Sequence, residues 1–364
     1  MRCEWRHLAL PTLASFPLLP LLRFLPTLAL GIAGGALAFA VNLPLPWLLG
    51  AMIATTVASL SGVRLRSPGR GRKGVLVVIG VMLGSAFTPQ LSGDLGLWSL
   101  SLAVMLVATA AMMAFSVWLS QRVAGHTRET SLYAGVPGGV STVTVMAMAS
   151  DADLRVVGMT HAVRILVLLV AIPPVLQAIG HVDLAGATPD LSQWLWLPGL
   201  ADAAWLTAAG LGGLALGRLL RLPNALLFGP ALVSAALHLS GVTHAAVPPT
   251  LLALAQVLIG VSVGVRFAGT SLARVGHALV MAVAQALVLL AIAVLAAWAG
   301  HLLTGVSPAA ALLAYMPGGA PELSLVALTL GIDPAFVTTH HLLRISVLVL
   351  ILPTLLKRLA PPSA

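Results

Sequence analysis

One motif occurs twice in this chain, and the interval between its copies constrains the fold more than any other feature. Pro137, Gly138 and Gly139 return as Pro317, Gly318 and Gly319, while Asp153, His161 and Arg164 return as Asp333, His341 and Arg344, each 180 positions later. Upstream, VVIGVMLGSAF at Val77–Phe87 aligns with VLIGVSVGVRF at Val257–Phe267 at the same interval. LPLPWLLG at Leu43–Gly50 parallels LPNALLFG at Leu222–Gly229 one residue out of step, as Ser61-Gly62-Val63 parallels Ser240-Gly241-Val242. A whole module has been duplicated almost without gaps.

The solvent of that module follows from its charge. Of 364 residues, 59% are hydrophobic and 8% charged, with a mean hydropathy of +1.04. A soluble domain carries about 25% charged residues because its surface must face water. Most of this surface must therefore face lipid, which excludes a soluble enzyme, a disordered regulator and a secreted disulfide scaffold. The 19 Lys and Arg against 10 Asp and Glu would suggest nucleic acid in a soluble chain. Here they read as span-flanking charges that fix orientation, the densest run being Arg64, Arg66, Arg70, Arg72 and Lys73, which also meets anionic lipid headgroups. Cys3 is the single cysteine, so no internal disulfide forms. The N-terminal stretch, with Arg2 and Arg6 before Pro11, Pro17 and Pro20, has no small-residue cleavage site and reads as retained.

Parity decides the architecture. The first copy holds apolar segments over 25–42, 46–62, 74–91, 96–119, 131–149 and 156–179. Six full crossings would make the second copy parallel to the first, and five would invert it. With Arg2, Arg6 and Arg23 inside, two crossings return the chain to Arg64–Lys73 and two more to Arg122 and Arg128. If the Pro-Gly-Gly segment enters and leaves on one side, Arg155 stays inside, and the connection with Asp183 and Asp190 lies outside. Arg218, Arg221, Arg266, Arg274, Lys357 and Arg358 then all fall inside, as the positive-inside rule asks. The expected fold is an all-α polytopic membrane protein of two tandem inverted-topology repeats. It has about ten transmembrane helices and two broken or re-entrant Pro-Gly-Gly segments. Its parts are a cytoplasmic lead-in (1–24), repeat 1 (25–180), a periplasmic connection (181–197), repeat 2 (198–358) and a short tail (359–364). A twelve-span parallel arrangement is the alternative, since an uncounted half-span would also restore parity.

Pro-Gly-Gly inside an apolar segment breaks the helix, because proline lacks a donor and glycine tolerates the turn. Freed backbone groups survive at that depth only inside protein or along a wet cavity. The half-helix that follows, from about Gly139 or Gly319, presents free N–H groups to an anion. Ser141, Thr142 and Thr144 add hydroxyls in the first copy, and Pro321, Glu322 and Ser324 stand at that place in the second. A packing kink is the plain alternative, and the matched pair favours a substrate-binding role for Pro137, Gly138, Gly139, Ser141 and Thr142 with Pro317, Gly318, Gly319 and Glu322.

His161 with Arg164, and His341 with Arg344, are spaced i, i+3 and share a helix face. Arg164 stands nine residues from Arg155, about 13 Å into the bilayer. Burying it there costs at least about 2.5–3.5 kcal/mol unless carboxylate, carbonyls, water or an anionic ligand meets it. The arginines therefore read either as ligand-binding groups or as clamps on carbonyls of the break, and the two roles are compatible. The histidines read equally as satisfied core residues and as proton relays. Glu322 has no counterpart in the first copy. It would pair with Arg344, gather a proton or cation for coupling, or satisfy the helix start beneath it. Asp153 and Asp333 read as caps of the last helix of each copy, and Gly80-x-x-x-Gly84 and Gly260-x-x-x-Gly264 as close helix packing. No nucleophile elbow, phosphate loop or metal-ligand cluster is legible, so no cofactor, no metal and no catalytic residue is expected. His340 and His341 point in different directions on a helix.

These elements, YAGVPGG with THAVRIL and AYMPGGAPE with HHLLRI, resemble the AbrB family of bacterial membrane proteins, over about Leu25 to Arg358. That family is defined by a membrane duplication and is distinct from the soluble DNA-binding regulator sharing its name. The resemblance implies a bacterial inner-membrane location, with both termini cytoplasmic by the charge argument. Members carry labels of ammonia monooxygenase or of regulator of gene expression. The scarcity of metal ligands disfavours the oxygenase, and no polar segment is long enough for a DNA-recognition domain. The expected function is a secondary transporter or exporter of a small anionic or polar solute, with its site between the two breaks. A membrane-embedded sensor or regulator is the alternative, and an enzyme comes third. The expected partners are membrane lipid and the solute, with no nucleic acid and a homo-oligomer left open.

Overall fold

The computed structural model describes residues 24–67, 69–89, 95–138, 140–180, 194, 196–222, 224–270 and 272–359. Nearly all of the lead-in, most of the 181–197 connection, Gly139 and the end of the tail therefore lie outside the described residues, as do the side chains of Ser141 and Thr142.

Among the described residues the chain forms fourteen α-helices in two sets of seven. The first set is α1 (Leu25–Ala40), α2 (Pro46–Leu60), α3 (Gly69–Gly84), α4 (Leu95–Arg122), α5 (Arg128–Gly135), α6 (Val140–Ala147) and α7 (Leu154–Gly180). The second is α8 (Leu200–Leu219), α9 (Ala225–Leu239), α10 (Pro249–Gly264), α11 (Leu272–Thr304), α12 (Pro308–Tyr315), α13 (Ala320–Thr329) and α14 (Pro334–Leu359). A 3₁₀ turn, Val265–Phe267, extends α10. Lengths recur in order, with two short helices fifth and sixth in each set. Local geometry recurs as well: Asn42 and Leu45 adopt positive φ, and so do Arg221 and Asn224. Their spacing carries the one-residue offset seen in the sequence. For Leu45, at φ 51°, such a backbone is costly, and the tight entry into α2 holds it there.

Six helices are long and apolar enough to cross a membrane by length and composition: those within α4, α7, α8, α10, α11 and α14. Four more, α1, α2, α9 and α13, are apolar but shorter. Helices of 15 or 16 residues reach only about 24 Å, short of the hydrocarbon thickness.

Glycines bring the short helices together. The methylene face of Gly80 sits against the carbonyl of Leu227, and Gly84 sits against Ser234, so α3 packs backbone-to-backbone on α9. In the other half Gly260 meets the carbonyl of Leu48 and Gly264 meets Thr55, so α10 packs on α2 in the same way. Gly34 against Gly50 joins α1 to α2, and Gly213 against Gly229 joins α8 to α9. Close approach of this kind substitutes for the hydrophobic drive that lipid cannot supply. One bundle thus forms from α1–α3 with α8–α10, the first halves of both sets. The second halves, α4–α7 and α11–α14, form another, in which α11 packs on α4, α7 and α12, and α12 and α13 pack on α14.

The short helices are hairpins. Thr127 Oγ1 accepts from Thr130 N–H to start α5, and Ser307 Oγ accepts from Ala310 N–H to start α12. Each helix ends at the residue before proline, Val136 with ψ 122° and Met316 with ψ 137°, because the proline ring excludes helical geometry there. The chain then restarts at Val140 or Ala320, within one residue of the position legible from sequence. After α6 it returns to where α5 began: Asp151 N–H donates to Glu129 Oε2 and Asp153 N–H to Thr130 Oγ1, both at 3.0 Å. The 128–153 segment therefore enters and leaves at one end of the bundle. In the second set, Leu328 and Thr329 at the end of α13 share a recess with Phe39, Pro46 and Pro249 at the opposite end. Asp153 Oδ1 and Asp333 Oδ1 cap α7 and α14, as expected.

Replacing Gly80 or Gly260 with leucine should lower stability by at least about 1–3 kcal/mol, because the added side chain meets backbone rather than a movable group. Gly212→Leu, on an exposed and open face of α8, should stay within about 0.5 kcal/mol of the parent. Thermal unfolding of the purified protein in detergent measures the difference.

Candidate functional site

The two arginines read from sequence are the largest fully buried side chains in the structure. Each reaches across to the break that precedes it. Arg164 donates through Nη1 to the Val136 carbonyl and through Nη2 to the Ala134 carbonyl, both at 2.7 Å. Arg344 donates through Nη1 to the Tyr315 carbonyl at 3.1 Å and through Nη2 to His341 Nδ1. These carbonyls are the ones that the interrupted helices leave without intrahelical partners. The guanidinium fork, with donors in a fixed plane, suits that task better than an ammonium would.

The histidines complete the clamps. His161 Nε2 donates to the Tyr133 carbonyl and His341 Nε2 to the Leu313 carbonyl, both at 3.0 Å and both 28 residues back along the chain. Since His341 Nδ1 accepts from Arg344, its Nε2 carries the proton, and the ring is neutral. The role as satisfied core residue accounts for both histidines.

The breaks themselves meet. Gly138, at φ +117°, lies so close to the second break that a methyl group on it would stand 3.5 Å from the Gly318 carbonyl oxygen and 3.8 Å from Arg344 Nε. Gly138 N–H and Gly318 N–H turn back onto the carbonyls of Val136 and Met316, 3.1 and 3.0 Å away. Pro137, Gly138, Pro317, Gly318, Gly319, Glu322 and the two His–Arg pairs are all buried around this crossing. Arg164 Nε and Arg344 Nε are buried there without a hydrogen-bond partner among the described residues.

Glu322 takes a different place from one the sequence allowed. Its carboxylate folds back over Gly319 in the first turn of α13, at the positive end of that helix's dipole and without a capping hydrogen bond. Among the described residues no arginine makes a hydrogen bond or ion pair with it; Arg266 is the cation that feels its charge, at longer range. Glu322 Oε2, Arg266 Nη1 and Arg72 Nε are all buried with no hydrogen-bond partner among the described residues.

Sequence reasoning missed these two arginines and a second cluster. Ser101 Oγ lies 2.7 Å from the Tyr315 hydroxyl and 2.9 Å from His340 Nε2, while His340 Nδ1 donates to the Phe336 carbonyl at 2.8 Å. With Nδ1 donating, Nε2 must accept, so Tyr315 donates to Ser101 and Ser101 donates to His340. One signal would have found four of them, namely polar residues with apolar or small counterparts in the other copy. Arg266 corresponds to Ala86, Arg72 to Leu252, Tyr315 to Gly135, and Ser101 to Met281.

Ser101→Ala would strand the buried Tyr315 hydroxyl and His340 Nε2 and should cost about 2–6 kcal/mol, one desolvation penalty for each. Ser99→Ala, which removes only an exposed bond to the Gly96 carbonyl, should shift stability by less than about 0.5 kcal/mol. Comparison of thermal unfolding midpoints checks the pair.

Among known proteins, a family model described as transition state regulatory protein AbrB matches residues 11–360. The chain is similar to "Putative regulator AbrB" of Escherichia coli (strain K12), 30% identical over 310 residues, which cover 84% of this chain and 87% of that one. It is also similar to "Uncharacterized protein YhjN" of Bacillus subtilis (strain 168), 24% identical over 359 residues and 92% of each chain. Two broken hairpins clamped by His-x-x-Arg faces, in a chain matched almost end to end, are the frame in which these likenesses sit: the chain belongs to the AbrB family.

Proposed function

We propose that the protein is a secondary transporter of a small anionic or polar solute, bound where the two Pro-Gly-Gly breaks cross. The observation that carries this reading is the crossing itself: Gly138 against the Gly318 carbonyl, with a buried, unpartnered Nε of Arg344 beside them. Irregular backbone at membrane depth is otherwise costly, and discontinuous helices meeting at a repeat interface are how membrane carriers hold polar cargo. The charge inside supports an anion. Glu322 is the one acidic side chain buried among the described residues, against fully buried Arg164 and Arg344.

The transport reading goes with ten crossings in two inverted halves, both termini in the cytoplasm, in a bacterial inner membrane. Supporting it are the hairpin ends: 128–153 opens at the end where Arg155 lies, and α13 closes at the other. A regulatory reading draws on the printed name of the Escherichia coli relative alone. Against it, the described connections are short and offer little surface for a protein reading the state of the pocket.

Thermal-shift measurements against a panel of small anions and polar solutes should reveal one that stabilises the protein, since a bound species stabilises by mass action. In proteoliposomes, uptake of that solute should fall at least about tenfold in Arg344→Ala, equivalent to a loss of about 1.4 kcal/mol of binding. Arg344→Lys, which keeps charge and a donor, covers the case in which the alanine variant fails to fold. Wild-type uptake in folded variants at both Arg164 and Arg344 would overturn the assignment.

Topology has its own test. In a Cys3→Ser background, single cysteines at Val123 and Ala268 should react with impermeant maleimide only from the cytoplasm, and those at Leu197 and Val242 only from the periplasm. Labelling of all four from one side defeats the inverted arrangement.

A further inference from the structure

Away from the crossing, a cavity of about 190 Å³ lies among α4, α7 and α11. Ser120 and His126 line it from α4 and the turn beyond, Arg155 and Thr160 from the first turns of α7, and Gln285 from α11. The rest of its wall is apolar, and no residue of the breaks or clamps borders it. Gln285 is 5% exposed and Ser120 9%, and Gln285 belongs to the apolar span Leu279–Thr304. The side chains of Ser120, Thr160 and Gln285 make no hydrogen bond among the described residues. Buried polar groups are ordinarily hydrogen-bonded, and an amide at membrane depth without a partner is costly, so these groups call for an occupant.

The second half of the chain shows what fills the corresponding space. The residues 180 positions after Ser120, Val156 and Thr160 are Gly300, Phe336 and His340, and the residue 180 before Met281, another lining residue, is Ser101. There the Tyr315 hydroxyl lies 2.7 Å from Ser101 Oγ, which lies 2.9 Å from His340 Nε2. A methyl group on Gly300 would stand 2.6 Å from that hydroxyl oxygen, and the Phe336 and His340 rings are 3.9 Å apart. Tyr315 corresponds to Gly135, so the first half lacks all three rings, and its cavity stands in their place. Gln285, where the other half has Met105, then adds an amide to a space that could have stayed apolar.

We propose that this cavity is a binding site for a small amphipathic carboxylate, held by Gln285 at its buried end and by Arg155 at its mouth. The apolar wall accommodates a body the size of a benzene ring, since a cavity of about 150 Å³ already admits benzene. Gln285, with the Ser120 and Thr160 hydroxyls, meets a hydroxyl or carbonyl on that body. Arg155 is exposed and meets the carboxylate, with His126 beside it. Asp153 does not compete, because its Oδ1 already accepts from the backbone N–H groups of Arg155 and Val156 at 2.8 and 3.3 Å. The site stands whether or not the crossing carries a solute.

Purified protein in phosphatidylcholine nanodiscs is titrated with sodium 4-hydroxybenzoate or sodium benzoate, at constant ionic strength against sodium chloride, with thermal unfolding as readout. The wild type should show a saturable rise in midpoint with each acid. The hydroxylated acid should half-saturate at about five- to tenfold lower concentration, the effect of one hydrogen bond to a buried group. Gln285→Leu should erase that difference and keep the benzoate response. Arg155→Gln, at an exposed position, should weaken both acids about tenfold. Val156→Phe introduces the residue of the other half and should abolish both responses without lowering the midpoint of the free protein. Thr160→His serves the same end where that variant fails to fold. The proposal is overturned by no saturable response in the wild type, which leaves the cavity to water, or by equal affinity for the two acids. It is also overturned by responses unchanged in the filled variant and in Arg155→Gln. Responses abolished by phosphatidylglycerol in the nanodisc overturn it too, since a lipid headgroup then holds the cavity. None of these measurements involves uptake, so failure of the transport reading leaves them untouched.

Discussion

A guanidinium holding the open end of a broken helix is the contact on which this molecule depends. Either element alone would be expensive at that depth. An arginine far from water needs acceptors, and a helix cut by Pro-Gly-Gly leaves carbonyls without donors. Arg164 and the carbonyls of Ala134 and Val136 remove both costs in one arrangement. The carbonyl end of a helix is also the negative end of its dipole, so the positive side chain is placed where the field favours it. The histidine one turn earlier occupies the next carbonyl back, leaving the break anchored by two side chains of a continuous helix.

The duplicated frame and its departures do different work. Clamps, caps and glycine contacts recur in both halves, which marks them as the architecture any copy needs. The Tyr315–Ser101–His340 chain, Glu322 and Arg266 occur once. These unmatched groups make the two sets of helices chemically unequal. Glu322 shows the effect most plainly. It stands at the start of α13 where the first copy has Thr142, so a charge occupies one break and a hydroxyl residue the other.

Much of this was legible in residue order, because its causes are local. Proline fixes where α5 and α12 stop, i, i+3 spacing puts His161 beside Arg164, and Asp153 and Asp333 sit one residue before the helices they cap. Glycines at four-residue spacing packed as expected, against the equivalent helices of the other half. Arg72 and Arg266 were not legible for a physical reason. A basic residue near the end of a span is the ordinary signature of the cytoplasmic face, and only the packing of α3, α10 and α13 on one another shows that part of each side chain is shut away from solvent. Sequence left Glu322 with several partners open, Arg344 among them; in the structure both terminal nitrogens of Arg344 bond to Tyr315 and His341, and its Nε stays without a partner among the described residues.

The two kinds of contact in the molecule also bear on how it could work. Within each bundle, backbones touch through glycine, and such surfaces tolerate almost no sliding, since any shift drives a carbonyl into a neighbour. Between bundles, the contacts run through α7, α13, α14 and the turn after α10, and among the described residues no glycine makes a backbone-to-backbone approach there. An alternating-access cycle needs stiff parts that move and a seam that can be remade, with the solute's charge counted in the seam's energy.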